Sequence, residues 1–190
     1  FGLIRDYKGL DLLLEAFSSL DDSYQLIIAG EVYGERKGYD ALIQQSKNKQ
    51  IYFVDQFIPS EKVQLYFSAS DICVLPYRTA TQSGIKAMCD VFQLPVLVSQ
   101  VGGLAEDISE NENGFLIHQM NRDALAEQIQ MIFGQEVFLV VCFTLQMVEI
   151  LGQERFIYRS WCKSIHFKYD YDQGWNFVCC YWFQSRRLEW

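Results

Sequence analysis

Residues 71–99 read DICVLPYRTATQSGIKAMCDVFQLPVLVS. The apolar run Asp71–Tyr77 stops at small, hydroxylated residues, Thr79-Ala80-Thr81-Gln82-Ser83-Gly84. A helical stretch, Gly84 to Phe92, starts at once and leads into a second apolar run, PVLVS. Two apolar runs joined by a helix make one strand-helix-strand unit, with parallel strands covered on both faces. Thr, Gln, Ser and Gly between strand and helix leave the first backbone N–H groups of the helix bare, an arrangement suited to an anion.

The same alternation extends in both directions. Upstream, FGLI reads as a strand, and residues 9–20 as a helix with Leu10, Leu13, Leu14 and Phe17 on one face. YQLIIAG is a strand, Tyr39 to Asn48 a helix, IYFV a strand, and Ser60 with Glu61 opens a helix through Val63, Leu65, Tyr66 and Phe67. Downstream, a short helical turn follows Gly103, GFLI gives a sixth strand, and Asn121 caps a last helix with Leu125, Ile129 and Ile132 on one face. The pattern predicts a doubly wound, Rossmann-like α/β domain with a six-stranded parallel sheet. Ligands of such sheets bind outside the carboxyl ends of the strands, so the loops after Ile4, Ala29, Val54, Tyr77 and Ser99 are the ones to read.

Composition bounds the function. The chain has 190 residues, half of them apolar, and a net charge of −8. That charge argues against general nucleic-acid binding, which needs a basic surface. An anion would have to be captured locally, against the overall field. The six cysteines form no metal-like spacing with the two histidines, Cys73 and Cys89 sit in apolar surroundings, and reduced thiols fit a cytoplasmic home. Nothing near the start resembles a signal peptide, and the opening FGLIRDYKG reads as cut from a longer protein.

The character changes near residue 134. Residues 1–133 hold ten Lys/Arg against eighteen Asp/Glu; residues 134–190 balance six against six, yet carry all four tryptophans, four of the six cysteines and no proline. VFLVVCFTLQMVEIL, interrupted by Gln146 and Glu149, is too short for a good membrane span. The expected division is a Rossmann-like domain over 1–133 and an atypical tail over 134–190. An altered reading frame or a truncated metagenomic fragment would explain such a tail, and a genuine appended segment is the alternative.

The loops carry the candidate chemistry. Arg5 and Lys8 lie beside a helix start, where two cations and a helix dipole form an anion site; as solvated surface charges they would do nothing. After the second strand, AGEVYGERKG has Gly30, Gly34 and Gly38 but not the G-x-G-x-x-G dinucleotide fingerprint. After the third, DQFIP offers Phe57 and Ile58 as exposed apolar surface for a flat base; alternatively Phe57 packs on the following helix as a staple. In the fourth loop Gln82, Ser83 and Gly84 enter the helix, with Ser83 as a cap or oxygen ligand and Gly84 permitting close backbone approach. Gly102 and Gly103 precede another turn in the fifth. Together these favour a diphosphate-bearing ligand in one crevice.

The series FGLIRDYKGLDLLLEAF, YQLIIAGE, VDQFIPSEKVQLYFSASDICVLPY, SG, LPVLVSQVGGLAE and GFLI resembles the donor-binding C-terminal half of retaining GT-B glycosyltransferases of the group 1, or family 4, type. The resemblance covers about residues 1–133. It implies a nucleotide-diphosphate sugar as substrate, no separate cofactor or metal, and a missing N-terminal GT-B domain that binds the acceptor. A lipid-linked acceptor would add peripheral membrane association. In that family the loop after the P-Y strand carries E-x7-E around a G-F-G turn that holds the diphosphate. The first glutamate faces the sugar and the second the ribose. Here Ala80 and Met88 stand at those positions, and Gln82-Ser83-Gly84 resembles a variant that keeps the phosphate cradle. Lys8 matches the family's K-G position, while Leu3 follows Gly2 and the arginine comes later, as Arg5. The resemblance implies Arg5, Lys8, Gln82, Ser83 and Gly84 at the diphosphate, with Gly30, Phe57 and Ile58 near the nucleotide. A non-catalytic nucleotide-binding or interaction module is a second reading, favoured by the absent glutamates. An NAD-dependent oxidoreductase is a third, opposed by the absent fingerprint.

Overall fold

The structure, a computed structural model, describes residues 1–134 together with 168–170 and 174–176. The chain divides into two compact units, Phe1–Leu151 and Gly152–Trp190. In the first, the order is a 3-10 turn at Asp6–Lys8, α1 (Leu10–Phe17), β1 (Leu26–Ala29), α2 (Lys37–Gln45), β2 (Ile51–Val54), α3 (Ser60–Ser68), β3 (Cys73–Leu75), α4 (Gly84–Val91), β4 (Val96–Ser99), a 3-10 turn at Gly102–Leu104, β5 (Phe115–Ile117) and α5 (Arg122–Gly134). In the second unit, β6 (Lys168–Asp170) pairs antiparallel with β7 (Gly174–Asn176). The remainder of the expected tail lies outside the described residues.

Among the described residues of the first unit all strand pairs are parallel: β1 with β2, β3 with β4, and β4 with β5. The alternation along β4 shows why. Leu97 joins α1 and α5 in one apolar cluster with Leu13, Phe17, Leu125 and Ile129. Its neighbours Val96 and Val98 join Phe67 of α3 and Cys89 of α4 in another. A strand whose successive side chains point to opposite faces, all apolar, needs helices on both. The helical faces read from sequence are buried: Leu10, Leu13, Leu14 and Phe17 in α1, and Leu125, Ile129 and Ile132 in α5. Asn121 Oδ1 accepts the Ala124 N–H at 2.9 Å, the expected cap of α5.

Three differences from the sequence reading have physical causes. FGLI is not a regular strand, and the sheet is not one ladder of six. Gly2 has φ +80°, outside the extended region, so the ladder cannot propagate through it. The segment runs beside β1 with Gly2 N–H donating to Ala29 O (2.9 Å) and Ile4 N–H to Glu31 O (2.8 Å), and only Ile4 and Val32 form a parallel bridge. β1–β2 and β3–β4–β5 are separate sheets. The second difference concerns β2, which is not covered on both faces: it lies at the end of its sheet, and Tyr52 is 51% exposed. α2 also ends earlier than expected, at Gln45. Buried Asn48 takes over there, donating to Asp21 O (2.7 Å) and Tyr24 O (3.1 Å) and accepting the Gln50 N–H (2.8 Å).

Candidate functional site

The site is built at the carboxyl ends of the strands. Ser83, in extended conformation, caps α4 and accepts the Lys86 N–H at 3.3 Å. The first turn of a helix leaves further N–H groups without intrahelical partners, and Gly84, which opens α4, is exposed. The loop before α4 is bonded to the loop after β4. Gly103 N–H donates to Thr81 O at 3.2 Å. Gly102 lies so close to Ala80 that a methyl on its α-carbon would sit 1.7 Å from the Ala80 carbonyl oxygen. The two glycine-bearing loops read separately in the sequence are therefore one wall. Buried Ser99 fastens its base, donating to Tyr77 O at 2.6 Å.

Lys8 reaches the same place from the first turn. Its ammonium lies 5.7 Å from the centroid of the Tyr77 ring and donates to Phe1 O at 3.4 Å. A methyl built on Gly2 would sit 3.8 Å from Lys8 Nζ and 3.1 Å from Ile85 Cδ1, so the ammonium and the first turn of α4 border the same point. Burial holds the Lys8 pKa below the ordinary lysine value, and the nearby Arg5 charge acts in the same direction. Beneath it, Tyr77 is buried and its phenol is pushed up to about 12 by desolvation, with the Ser83 hydroxyl partly opposing. A desolvated cation beside a helix start is a stronger anion ligand than a solvated one, because fewer waters must be displaced.

The other candidates are placed differently. Arg5 turns away along the edge, its guanidinium carbon 4.7 Å from the centroid of exposed Tyr33. Gly30, at φ +143°, is required by the protein itself: a methyl there would lie 1.9 Å from Gly2 O. Phe57 is 73% exposed, so it is not a staple packed on α3. The expectation of an exposed Ile58 is corrected, since that side chain is 8% exposed and turns inward. Gln82 is exposed. Met88, at the position of the second family glutamate, packs against the α3–α4 core cluster. A groove of about 560 Å³ between α3 and α4, lined by Phe1, Val63, Met88 and Phe92 among others, includes none of the anion-site candidates.

Sequence reasoning missed three features. Tyr77 is the seat under Lys8. Asp55 ties the β1 loop to the end of β2, accepting from Val32 N–H (2.9 Å) and Arg36 (3.0 Å), contacts that hold its carboxyl below the usual range. Arg78 bonds back to the first turn. The only signal for Arg78 was its position, one residue beyond an apolar strand at the ligand edge.

The family model for glycosyl transferases group 1 matches residues 1–136, most of the chain. This chain belongs to the group 1 glycosyl transferases. Among curated relatives, the D-inositol 3-phosphate glycosyltransferase of Corynebacterium glutamicum is 26% identical over 144 residues, covering 71% of this chain and 34% of the relative. Among solved structures, the C-terminal domain of a glycosyl transferase group 1 family protein (LpcC) from Francisella tularensis superposes with a TM-score of 0.67 at 19% identity, covering 82% of this chain and 85% of that one. Anabaena HepE, solved in complex with UDP, has a TM-score of 0.63 at 17% identity, covering 77% of this chain and 42% of that one. The structural likenesses establish the fold: a Rossmann-like half of the GT-B architecture. As a group 1 glycosyl transferase, the chain spans about a third of the length of the Corynebacterium relative.

Proposed function

We propose that residues 1–133 are the donor-binding domain of a retaining glycosyltransferase, which moves a sugar from a nucleotide-diphosphate sugar to a hydroxyl acceptor. The acceptor would be held by an N-terminal Rossmann-like domain outside these 190 residues, so this chain alone would bind donor without transferring sugar. One observation carries the reading: the half-buried Lys8 ammonium and Ile85, in the first turn of α4 that Ser83 caps, both border Gly2, 3.8 and 3.1 Å from where its Cβ would be. When the bond between the anomeric carbon and the diphosphate oxygen breaks, negative charge accumulates on the departing diphosphate. A fixed cation and oriented N–H groups stabilise that charge at little reorganisation cost. Arg5 and Gln82 would act at the rim of this site, and Gly30 and Phe57 on the nucleotide side. The UDP complex of HepE supports a nucleotide ligand for this fold. The unpaired Cys73 and Cys89 fit the cytoplasm, and membrane contact would come only through a lipid-linked acceptor.

Gly84 gives a test that separates function from folding. Apart from its chain neighbours and the backbone of its own helix, no atom lies within 4 Å of where its Cβ would be. Gly84→Val should therefore leave the melting temperature nearly unchanged while lowering nucleoside-diphosphate affinity about tenfold, the scale of one charge-assisted hydrogen bond. Unchanged affinity would remove the α4 start from the site. The proposed domain boundary has its own test: truncation after Gly134 should leave the stability of the 1–133 domain nearly unchanged, and a loss of about 3 kcal/mol, the scale of removing large buried side chains, would assign the tail to the core.

The second reading, a non-catalytic nucleotide-binding module, draws on Ala80 and on the core packing of Met88. Joined to an acceptor-domain partner, a module of that kind binds donor without turnover; sugar transfer in such a reconstituted protein would exclude it.

A further inference from the structure

We propose that Arg78 is a positioning residue for the diphosphate site, clamping the turn that bears Lys8 onto the carboxyl end of β3. The inference rests on the donor-site reading above. The Arg78 guanidinium makes three bonds to the first turn and α1: Nη1 donates to Asp6 O (2.8 Å) and to Asp11 Oδ1 (2.9 Å), and Nη2 to Asp11 Oδ2 (2.6 Å). Its backbone N–H donates to Tyr7 O at 2.7 Å. Two residues on, Gly9 turns at φ +67° so tightly against the end of β3 that a methyl there would lie 2.1 Å from Pro76 O. Asp6, Tyr7 and Gly9, which surround Lys8 in the chain, are thus each held to the segment Pro76–Arg78. Tyr77, in the middle of that segment, carries the ring on which the Lys8 ammonium rests.

The clamp has little other use. The Arg78–Asp11 pair is nearly half exposed on both sides, and exposed ion pairs contribute at most about 1 kcal/mol to stability. A bidentate fork fixes geometry rather than adding energy. What it fixes is the separation between the first turn and the loop into α4, the two sides of the anion site. With both carboxylate oxygens engaged, Asp11 keeps the guanidinium directed at the turn, away from a direct role on phosphate. The Asp11 carboxyl is held low, chiefly by its bond to Arg78, so the clamp persists across neutral pH.

The test uses the full 190-residue chain, with titration calorimetry against UDP, GDP and ADP. Arg78→Ala and Asp11→Asn should each weaken the tightest of these about threefold to fivefold, the scale of a well-made exposed pair. In a Lys8→Ala background neither should cause further loss, because both act through Lys8. Arg78→Lys, a cation without the fork, should fall between. If Asp11→Asn leaves binding unchanged or tighter while Arg78→Ala weakens it, Arg78 touches the phosphate itself and the positioning role is overturned. Additive losses in the double variants overturn it equally, as does no effect from either single change. Absence of binding by the unaltered protein is a failure of the donor-site reading, and a second measurement then decides the clamp. In an NMR titration of 13C-dimethylated lysines, Asp11→Asn should raise the Lys8 midpoint toward the ordinary lysine value. Losing the Asp11 charge alone acts in the opposite direction, so only release of the Lys8 turn produces a rise. An unshifted or lowered midpoint overturns the proposal.

Discussion

Lys8→Ala is expected to weaken nucleoside-diphosphate binding by about tenfold or more, since a charge-assisted hydrogen bond contributes roughly 1.5 to 3 kcal/mol. Lys37→Ala, removing an exposed charge at the start of α2, should change little. The contrast separates the Lys8 position from charge in general. The pH dependence follows from burial. Desolvation lowers the Lys8 pKa in the folded protein, so diphosphate affinity should fall as pH rises through a value below that of an ordinary lysine. Lys8→Arg, charged throughout, should flatten that fall. Stability moves the other way. The folded state holds this proton less tightly than the unfolded chain does, so protonated Lys8 opposes folding at neutral pH, and the opposition fades between the folded and unfolded pKa values. Lys8→Met should therefore raise the melting temperature of the unliganded protein while abolishing its preference for the diphosphate. Calorimetry across pH, paired with thermal melts, checks both signs. Equal losses for Lys8→Ala and Lys37→Ala would move the site elsewhere.

Lys8 was legible as a candidate in the sequence because the pattern is local: a cation one residue before a glycine and a helix, after the first apolar run. The Ser83 cap was legible for the same reason. Local chemistry also marked the strands of β3 and β4 and the buried faces of α1 and α5. Long-range contacts left no such trace. Arg78 and Asp11 are 67 residues apart, and nothing in either segment announces the pairing. Tyr77 reads as the last residue of an apolar strand, and only the fold brings Lys8 over its ring. FGLI looked like a strand because its composition is apolar, whereas Gly2 takes a left-handed conformation that composition does not reveal. Ile58 and Phe57 are adjacent and chemically alike, yet one is buried and the other exposed; which one turns inward is decided by how α3 docks.

Gly102→Ala should be the most destabilising single change in the site wall. Its φ is +48°, and the added methyl would meet the carbonyl oxygen of Ala80 at 1.7 Å and the carbonyl carbon at 2.8 Å. Neither is the end of a flexible side chain, so relief requires moving the whole 80–83 segment away from the β4 loop. That movement strains the Gly103–Thr81 hydrogen bond and shifts Ser83 at the start of α4. A strained backbone position costs about 1–3 kcal/mol, and at about 2–4 °C per kcal/mol for a chain of this size the upper end lowers the melting temperature by about 10 °C. Nucleotide binding should fall with it, measured below the new transition, because the wall that aims the α4 N–H groups has moved. Gly38→Ala is the opposing control. Gly38 lies within α2 with no atom within 4 Å of its Cβ position, so alanine should stabilise by about 0.4–1 kcal/mol through a less flexible unfolded chain. Opposite signs for the two Gly→Ala changes would show that the two loops meet backbone to backbone. A Gly102→Ala variant that melts no earlier than the unaltered protein would mean that they do not, and the diphosphate wall would lose the contact that joins its halves.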